Sequence, residues 1–190
     1  MGNNFKIPTT PVSKKVILAY FDLRKFSQIE GSMDANGVYE ILNDMHEKIT
    51  DKVESLNGYC LRYIGDNALA VFEAEDFSNV LMGVKEVKVE VDSYFSKLNK
   101  SSVLHILLHT GQGNIGLVGG RRNKRLDVSG PVLNDMGYYM MRVDTSGNIQ
   151  LFNSLCISDQ YYENLGEDIA LIDIQASDCK FHSFIEADLI

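Results

Sequence analysis

The amino-acid sequence predicts an α+β fold in which helices cover a mostly antiparallel sheet. Three observations predict it. Residues 16–21 form a continuous apolar run, which is typical of a strand buried on both faces. Two long segments repeat apolar residues at helical spacing. Between them lie two short apolar segments joined by a glycine turn, the pattern of a β-hairpin.

The first helical segment covers residues 34–56, and Asn57-Gly58 follows it as a left-handed C-terminal cap. Its apolar residues recur at steps of three and four, which places them on one face of the helix. The second helical segment covers residues 77–98 and has the same spacing. The apolar face of the first helix consists of Val38, Ile41, Leu42, Met45, Ile49, Val53 and Leu56.

The two hairpin strands are YCLRYI and ALAVFEA, with Gly65-Asp66-Asn67 as the turn. A further buried strand, VLHILLHT, continues into a glycine-rich segment, and a short helix is predicted over residues 134–143. The segment GNIQLFNSLCIS is interpreted as strands, and the C-terminal residues as edge strands. The order βαββαβ with extra strands predicts a ferredoxin-like core in a single domain of residues 1–190, in which residues 1–14 are an N-terminal extension.

The bulk composition argues against several classes of function. A net charge of −8 disfavours general nucleic-acid binding, which needs a basic surface. No apolar stretch is long enough to span a membrane, so no membrane association is expected. Three widely spaced cysteines without a CxxC pair indicate reduced thiols, and we therefore expect a cytoplasmic protein.

Two acidic residues stand out because both lie at the ends of apolar strands. Asp22 ends the first strand, and Asp66 lies on the hairpin turn. In a ferredoxin-like sheet the first strand lies between its neighbours, so its end approaches the hairpin tip. Two converging carboxylates repel each other unless a divalent cation neutralises them, and hard oxygen ligands suit Mg²⁺ or Mn²⁺ with a polyphosphate substrate. The alternative is two unrelated surface acids, and spacing alone favours it.

Four motifs, in order, resemble those of the class III nucleotidyl cyclases. YFDLRKFS resembles the family's strand end F-x-D-I-x-G-F-T, and RYIGDNALAVF is similar to its hairpin K-x-x-G-D…A-V-F. LHTGQGNIGLVGG resembles the segment H-T-G…G-x-x-G, and LDVSGPVLN resembles D-V-x-G-x-x-V-N. The motifs span roughly residues 16–160. Each is weakly specific alone, whereas four in this order and spacing are highly specific.

The resemblance implies the fold of a class III cyclase catalytic domain and a head-to-tail homodimer whose two active sites lie across its interface. It also implies that Asp22 and Asp66 hold two metal ions, Mn²⁺ or Mg²⁺, with the backbone carbonyl of Leu23 as a further ligand. The amides of Phe26 and Ser27 would contact the β- and γ-phosphates of a nucleoside triphosphate.

Further site residues follow from the same resemblance. Arg62 and Asp127 stand at the base-reading positions and would come from the partner subunit. Asn134 stands at the position that orients the ribose and the transition state. Arg121 or Arg122, in the cationic segment RRNKR, stands where the family has a phosphate-binding arginine; the alternative for that segment is a solvated turn.

The implied reaction is in-line attack of the ribose 3′-hydroxyl on the α-phosphorus, with departure of pyrophosphate and without a protein nucleophile. The two metal ions would lower the pKa of that hydroxyl and bind the leaving group. His109 is interpreted as a packing residue rather than a general base, because its motif places it on a buried strand.

Two departures from the family pattern concern the transition state. The family's arginine four residues after the motif asparagine is replaced by Tyr138, and Arg142, one turn further on, shares its helix face and is the candidate replacement. The family's late lysine, which meets the triphosphate, has no clear counterpart, and a rough alignment places Gln175 there. Both an inactive domain and a cyclase with a rearranged site fit these losses; retention of both metal acids favours the active enzyme.

A third departure concerns the base. The family's adenine-type site has lysine where this chain has Arg62, paired with Asp127. A guanidinium donates and a carboxylate accepts, so the pair reads an acceptor beside a donor, a pattern that uracil, cytosine and guanine all present. Tyr20 and Tyr63 are expected to narrow the pocket toward a single ring.

A short cyclase domain with arginine at this position resembles the bacterial pyrimidine cyclases of Pycsar anti-phage systems. That resemblance implies conversion of UTP, favoured over CTP, to cyclic UMP or cyclic CMP, which would activate a separate cyclic-nucleotide-sensing effector. The alternatives are an ordinary adenylate or guanylate cyclase and an inactive pseudo-cyclase that binds nucleotide.

Overall fold

The computed structural model describes residues 5–166 and 169–184. The strands are β1 (Val12–Arg24), β2 (Tyr59–Ile64), β3 (Asn67–Glu73), β4 (Val103–Gly120), β5 (Asn123–Ser129), β6 (Leu155–Ser158), β7 (Ile172–Ala176) and β8 (Cys179–Ser183). The helices are α1 (Phe26–Glu30), α2 (Ala35–Ser55), α3 (Phe77–Lys97), α4 (Pro131–Thr145), α5 (Ile149–Phe152) and α6 (Asp159–Tyr162).

All these strands belong to one sheet with the order β2-β3-β1-β4-β6-β8-β7, and β5 pairs with the outer part of β4. The pairing of β4 with β6 is parallel, and the other pairings in the described part of the chain are antiparallel. The predicted α+β class is therefore confirmed. β1 lies between β3 and β4, as the ferredoxin-like interpretation expected, and this position brings its C-terminal end beside the β2–β3 hairpin.

Both faces of the sheet are covered, which explains the continuous apolar run of β1. Alternate residues of a strand point to opposite faces. One set of β1 side chains packs with α2 and α3, and the other packs with α4. The first set is Ile17, Ala19, Phe21 and Leu23, and the second is Val16 and Leu18 with the half-buried Tyr20.

Local signals position the two long helices as predicted. The Asp34 side chain caps α2 by accepting a hydrogen bond from the Gly37 amide at 2.8 Å. At the other end Asn57 adopts φ +58°, and Gly58 donates to the Val53 carbonyl at 2.8 Å. A Cβ at Gly58 would lie 2.4 Å from a ring carbon of Phe72, so the close passage of the chain there requires glycine.

Three later segments differ from the sequence-based expectation. The glycine-rich segment forms the β4–β5 hairpin. Helix α4 begins three residues earlier than predicted, because Pro131 occupies its first turn after Gly130 at φ +102°. Residues 149–152 are helical rather than extended, because the Asn148 side chain accepts hydrogen bonds from the Gln150 and Leu151 amides; within GNIQLFNSLCIS only the last four residues form a strand.

The C-terminal strands are present as the β7–β8 hairpin. Residues 185–190 of the predicted tail, and residues 1–4 of the predicted extension, lie outside the described residues. No helix in the described ranges combines the length and the apolar character needed to cross a bilayer.

Candidate active site

The end of β1 and the β2–β3 turn form an acidic corner, which consists of Asp22 and Asp66. Asp22 pairs in register with Asn67, the residue after Asp66, so the sheet itself brings the two acids together. The pKa of Asp22 is raised to about 6: burial raises it most, Arg24 lowers it, and the nearby charges of Asp66 and Asp144 raise it. The corner therefore concentrates negative charge in a partly desolvated place.

Asp66 projects from a tight turn in which Gly65 adopts φ +59°. Its carboxylate is half-buried, and burial raises its pKa, with a smaller contribution from the charge of Glu30. The turn geometry therefore holds the Asp66 carboxylate beside the end of the sheet, where it is only partly exposed to solvent.

Arg24, two residues after Asp22 on the same face of β1, partly neutralises the corner. Its Nη1 lies 2.6 Å from Asp22 Oδ2 and 2.8 Å from Asp144 Oδ1. The guanidinium also stacks on the ring of Phe152, with its central carbon 4.2 Å from the ring centroid. This buried cation joins the corner to the end of α4 and to α5.

The chain turns sharply between the acidic corner and α1. Leu23 is buried on the opposite face of the sheet from Asp22, and Lys25 adopts the left-handed conformation with φ +64°. Helix α1 then begins at Phe26, whose side chain is buried, whereas the Ser27 side chain is exposed. The first amides of a helix have no acceptor within it, so those of Phe26 and Ser27 are available for hydrogen bonds to an anion.

The two residues expected to read the base, Arg62 and Asp127, meet within one chain. Arg62 on β2 binds Asp127 on β5 through two nitrogens: Nη2 lies 2.6 Å from Oδ2 and 2.7 Å from Oδ1, and Nε lies 3.1 Å from Oδ1. A β-bulge directs Arg62 there. The register of β2 on β3 shifts between Cys60 and Arg62, so Leu61 is the extra residue, and Arg62 faces the α4 side of the sheet.

Beside Arg62 lies a cavity of about 300 Å³ between the sheet and α4. Its wall from the sheet includes Tyr20, whose hydroxyl pKa is raised to about 12, first by burial and then by the charge of Asp22. Its wall from α4 consists of residues spaced by three and four, namely Leu133, Met136, Gly137 and Met140. The cavity is mainly apolar with the Arg62 guanidinium among its lining groups, and ligand sites usually combine apolar walls with a few polar groups in this way.

Tyr63 does not line this cavity. Being next to Arg62 in a strand, it faces the other side of the sheet, where its hydroxyl lies 2.5 Å from Thr50 Oγ1 and its ring lies 4.7 Å from that of His46. The expected narrowing of the pocket by two aromatics is therefore provided within this chain by Tyr20 and not by Tyr63.

Helix α4 carries the residues expected near the transition state on one face. Asn134 is exposed in the first turn, and Tyr138 follows one turn later. Arg142 is held by Asp178 of the β7–β8 turn: its Nε lies 2.9 Å from Oδ1, and its Nη2 lies 2.7 Å from the Tyr138 hydroxyl. That hydroxyl donates to Asp178 at 2.5 Å, so the three residues form a closed network.

The remaining candidates lie at the periphery. Arg121 and Arg122 are exposed at the tip of the β4–β5 hairpin, away from the acidic corner of their own chain. Gln175 is exposed on β7, and its amide donates to the Ser177 carbonyl at 2.9 Å. His109 is buried, with Nδ1 2.9 Å from Ser158 Oγ, which agrees with a packing role.

The acidic corner fits divalent cations by its donor chemistry. Carboxylate and peptide oxygens are the ligands that Mg²⁺ and Mn²⁺ prefer, and the charges of Asp66 and Asp144 act on Asp22. No group of three or more His, Cys, Asp or Glu side chains gathers into a metal site in the described ranges. The groups that could hold a cation at the corner are the Asp22 and Asp66 carboxylates and the Leu23 carbonyl.

Comparison with known proteins decides the family. The family model described as "Adenylate and Guanylate cyclase catalytic domain" matches residues 9–163. This chain belongs to that family. The matched residues include the acidic corner, the Arg62–Asp127 pair and Asn134. The match to the cyclase family ends before the β7–β8 hairpin. No curated protein matches the cyclase chain at the threshold of significance.

Solved structures resemble the cyclase chain over nearly its whole length. The guanylyl cyclase Cya2 has 18% identity and a TM-score of 0.73, covering 90% of this chain and 92% of that one. The adenylyl cyclase CyaB from P. aeruginosa has 15% identity and a TM-score of 0.76, covering 93% and 97%. A guanylyl cyclase domain of the RhoGC fusion protein from the aquatic fungus Blastocladiella emersonii, described as a non-canonical dimer, has 16% identity and a TM-score of 0.75, covering 93% and 97%. At such identities the likeness shows the fold.

Sequence reasoning missed three residues of the site. Arg24 carried a usable signal, because side chains two apart in a strand share a face and Arg24 follows Asp22 by two. No local sequence signal pointed to Asp144 or Asp178, because their partners, Arg24 and Arg142, lie far away along the chain.

Proposed function

We propose that this domain is an active nucleotidyl cyclase that converts UTP, or CTP, to the 3′,5′-cyclic monophosphate and diphosphate. The observation that carries the proposal is the bidentate Arg62–Asp127 pair at the edge of a mainly apolar cavity. The acidic corner supplies the complementary requirement for phosphoryl chemistry. Both metal acids and both base-reading residues are present in a chain of the cyclase family.

The base preference follows from hydrogen-bonding polarity and size. Arg62 donates and Asp127 accepts, which suits a base edge with an acceptor beside a donor. Uracil and cytosine offer such an edge on a single ring, and guanine offers it on two rings. The cavity of about 300 Å³ is at the small end for ligand sites, and Tyr20 forms part of its wall. A single ring is therefore favoured, with UTP ahead of CTP.

The other residues of the chain have separable tasks in this proposal. The amides of Phe26 and Ser27 bind the phosphates, with Arg121 or Arg122 as an additional cation, and Asn134 orients the ribose. Mn²⁺ or Mg²⁺ ions held by Asp22, Asp66 and the Leu23 carbonyl supply charge neutralisation and activation of the 3′-hydroxyl.

Arg142 is the candidate for stabilising the charge that develops in the transition state. Tyr138 occupies the position at which the family has arginine, and Arg142 donates to its hydroxyl. The network with Asp178 holds the guanidinium in one orientation, and preorganised donors are the effective ones in catalysis.

The assembly and the setting are also part of the proposal. The active sites lie across the interface of a homodimer, because Arg62, Asp127 and Asn134 serve the acidic corner of the other subunit. The protein acts in the cytoplasm in bacterial anti-phage defence, and its cyclic nucleotide acts on a separate effector that senses it.

Two other functions are supported by specific observations. Ordinary adenylate or guanylate cyclase activity is supported by the structural relatives, which are named as adenylyl and guanylyl cyclases. A pseudo-cyclase that only binds nucleotide is supported by Tyr138 at the position of the transition-state arginine.

The test is to incubate the pure protein with each of the four ribonucleoside triphosphates and Mn²⁺ and to identify the products by mass spectrometry. We expect cyclic UMP or cyclic CMP as the main product. Cyclic AMP or cyclic GMP as the main product would refute the pyrimidine assignment. Absence of any product from a folded dimer would establish the pseudo-cyclase instead.

A further inference from the structure

We propose that Arg24 is a positioning residue that orients the carboxylate of Asp22 for metal binding, and that Asp144 and Phe152 hold Arg24 in place. The inference rests on the proposed function, because it concerns the metal site of the same reaction. It assigns a task to the end of α4 and to α5, elements that contain none of the expected metal ligands.

Arg24 contacts only one of the two carboxylate oxygens of Asp22 among the contacts seen. Nη1 of Arg24 lies 2.6 Å from Oδ2 of Asp22, a short charge-assisted contact. This contact fixes the rotation of the carboxylate and leaves its second oxygen, Oδ1, for a cation. Without such a partner the carboxylate would rotate freely at the strand end. Metal binding would then have to fix its orientation, which lowers the affinity.

Arg24 is itself held from three directions. Its side chain is only 7% exposed. The same Nη1 lies 2.8 Å from Asp144 Oδ1, Nε donates to the Phe152 carbonyl at 3.0 Å, and the guanidinium stacks on the Phe152 ring. Contacts from β1, α4 and α5 therefore determine where the guanidinium lies before any metal ion binds.

A purely structural role explains these contacts less well. Nη2 of Arg24 is buried and has no hydrogen-bond partner in the described part of the chain. A buried unsatisfied donor destabilises the fold, and buried ion pairs are often no more stabilising than apolar side chains of similar volume. An apolar residue would fill this space with less cost, so the charge is better explained by what it does to Asp22.

The expected size of the effect comes from metal sites in general. Ligating carboxylates are usually hydrogen-bonded by a second group, and removal of that group typically lowers metal affinity by about 10–100-fold. We therefore expect Arg24→Met to weaken Mn²⁺ binding by about tenfold or more. Asp144→Ala removes one support of Arg24 together with a negative charge near the corner, and we expect a loss smaller than that of Arg24→Met.

The experiment measures Mn²⁺ binding by the loss of the EPR signal of free Mn²⁺, with Mn²⁺ alone as the probe and full-length protein. Asp66→Asn defines the binding that does not involve the acidic corner. Glu86→Ala is the matched control for Asp144→Ala, because it also removes an exposed helix carboxylate from an ion pair, here with Lys52 at 2.6 Å. Thermal unfolding of every variant monitors the fold.

Weaker binding in Arg24→Met and Asp144→Ala, with wild-type binding in Glu86→Ala, supports the inference. Unchanged affinity in both variants overturns it and leaves the proposed cyclase function intact. Tighter binding in Arg24→Met also overturns it, because the guanidinium would then compete with the metal ion. If Arg24→Met does not fold, Phe152→Leu decides by the same rule, because it removes the ring that the guanidinium stacks on and leaves every charge of the corner in place. Equal Mn²⁺ binding by wild type and Asp66→Asn refutes the metal site itself, and with it both proposals.

Discussion

The acidic corner and the Arg62–Asp127 pair are the two charged regions of the site, and they differ in how far the protein satisfies them. At the corner, burial and neighbouring acids raise the pKa of Asp22 to about 6, and one arginine offsets this only in part. In the pair, three nitrogen–oxygen contacts join one cation to one anion. The corner therefore holds uncompensated negative charge, whereas the charges of the pair already satisfy each other within the chain.

The largest expected effect comes from removing charge at the corner. Asp66→Asn should lower kcat by about a thousandfold, because metal ions contribute several kcal/mol to stabilising the transition state and about 4 kcal/mol corresponds to that factor. Steady-state kinetics at saturating Mn²⁺ measure it. Asp51→Asn, an exposed acid on α2, is the control and should keep wild-type activity. A variant with kcat within threefold of wild type would show that Asp66 binds no catalytic metal.

The second effect is a gain in folding stability, in contrast to the loss of activity expected for Asp66→Asn. The folded-state pKa of Asp22, about 6, lies above its ordinary 3.8, so the folded protein binds this proton more tightly than the unfolded chain. Stability from this group is present below pH 3.8 and is lost as the pH rises through 6. At pH 7 without metal, Asp22→Asn should therefore be more stable than wild type, by at most about 3 kcal/mol.

Urea unfolding in the presence of EDTA measures that difference. It should shrink when the same pair of proteins is compared at pH 4.5, because wild-type Asp22 is then largely protonated in the folded state. A lower stability of Asp22→Asn at pH 7 would mean that the ionised carboxylate stabilises the fold, and the contrast between the two regions would disappear.

The smallest effect on stability is expected at the pair. Its side chains are 40% and 20% exposed, so its contribution to folding should be about 1 kcal/mol or less. Arg62→Lys should nevertheless change the ratio of kcat/KM between pyrimidine and purine triphosphates by about tenfold, since a bidentate donor carries about 1–3 kcal/mol of base discrimination. Arg125→Lys, an exposed arginine in the β4–β5 hairpin, should change neither quantity. An unaltered substrate profile in Arg62→Lys would show that Arg62 does not read the base.

Much of the fold could be predicted because its signals are local. Apolar periodicity and end caps determine where α2 and α3 begin and end, and the unbroken apolar run of β1 required cover on both faces of the sheet. The convergence of Asp22 and Asp66 also followed from the predicted strand order. The helix at residues 149–152 could not be predicted from apolar pattern, because one side-chain cap at Asn148 decides it.

The sequence by itself determined the cyclase family, the sheet order around β1 and the two acids of the corner. The tertiary structure decided which way the polar side chains of the site point. One bulge residue, Leu61, turns Arg62 toward Asp127 and leaves Tyr63 on the opposite face. The Arg24–Asp144 and Arg142–Asp178 contacts join residues that are far apart in the chain, and no local pattern encodes such a pair, because its energy exists only after the elements pack.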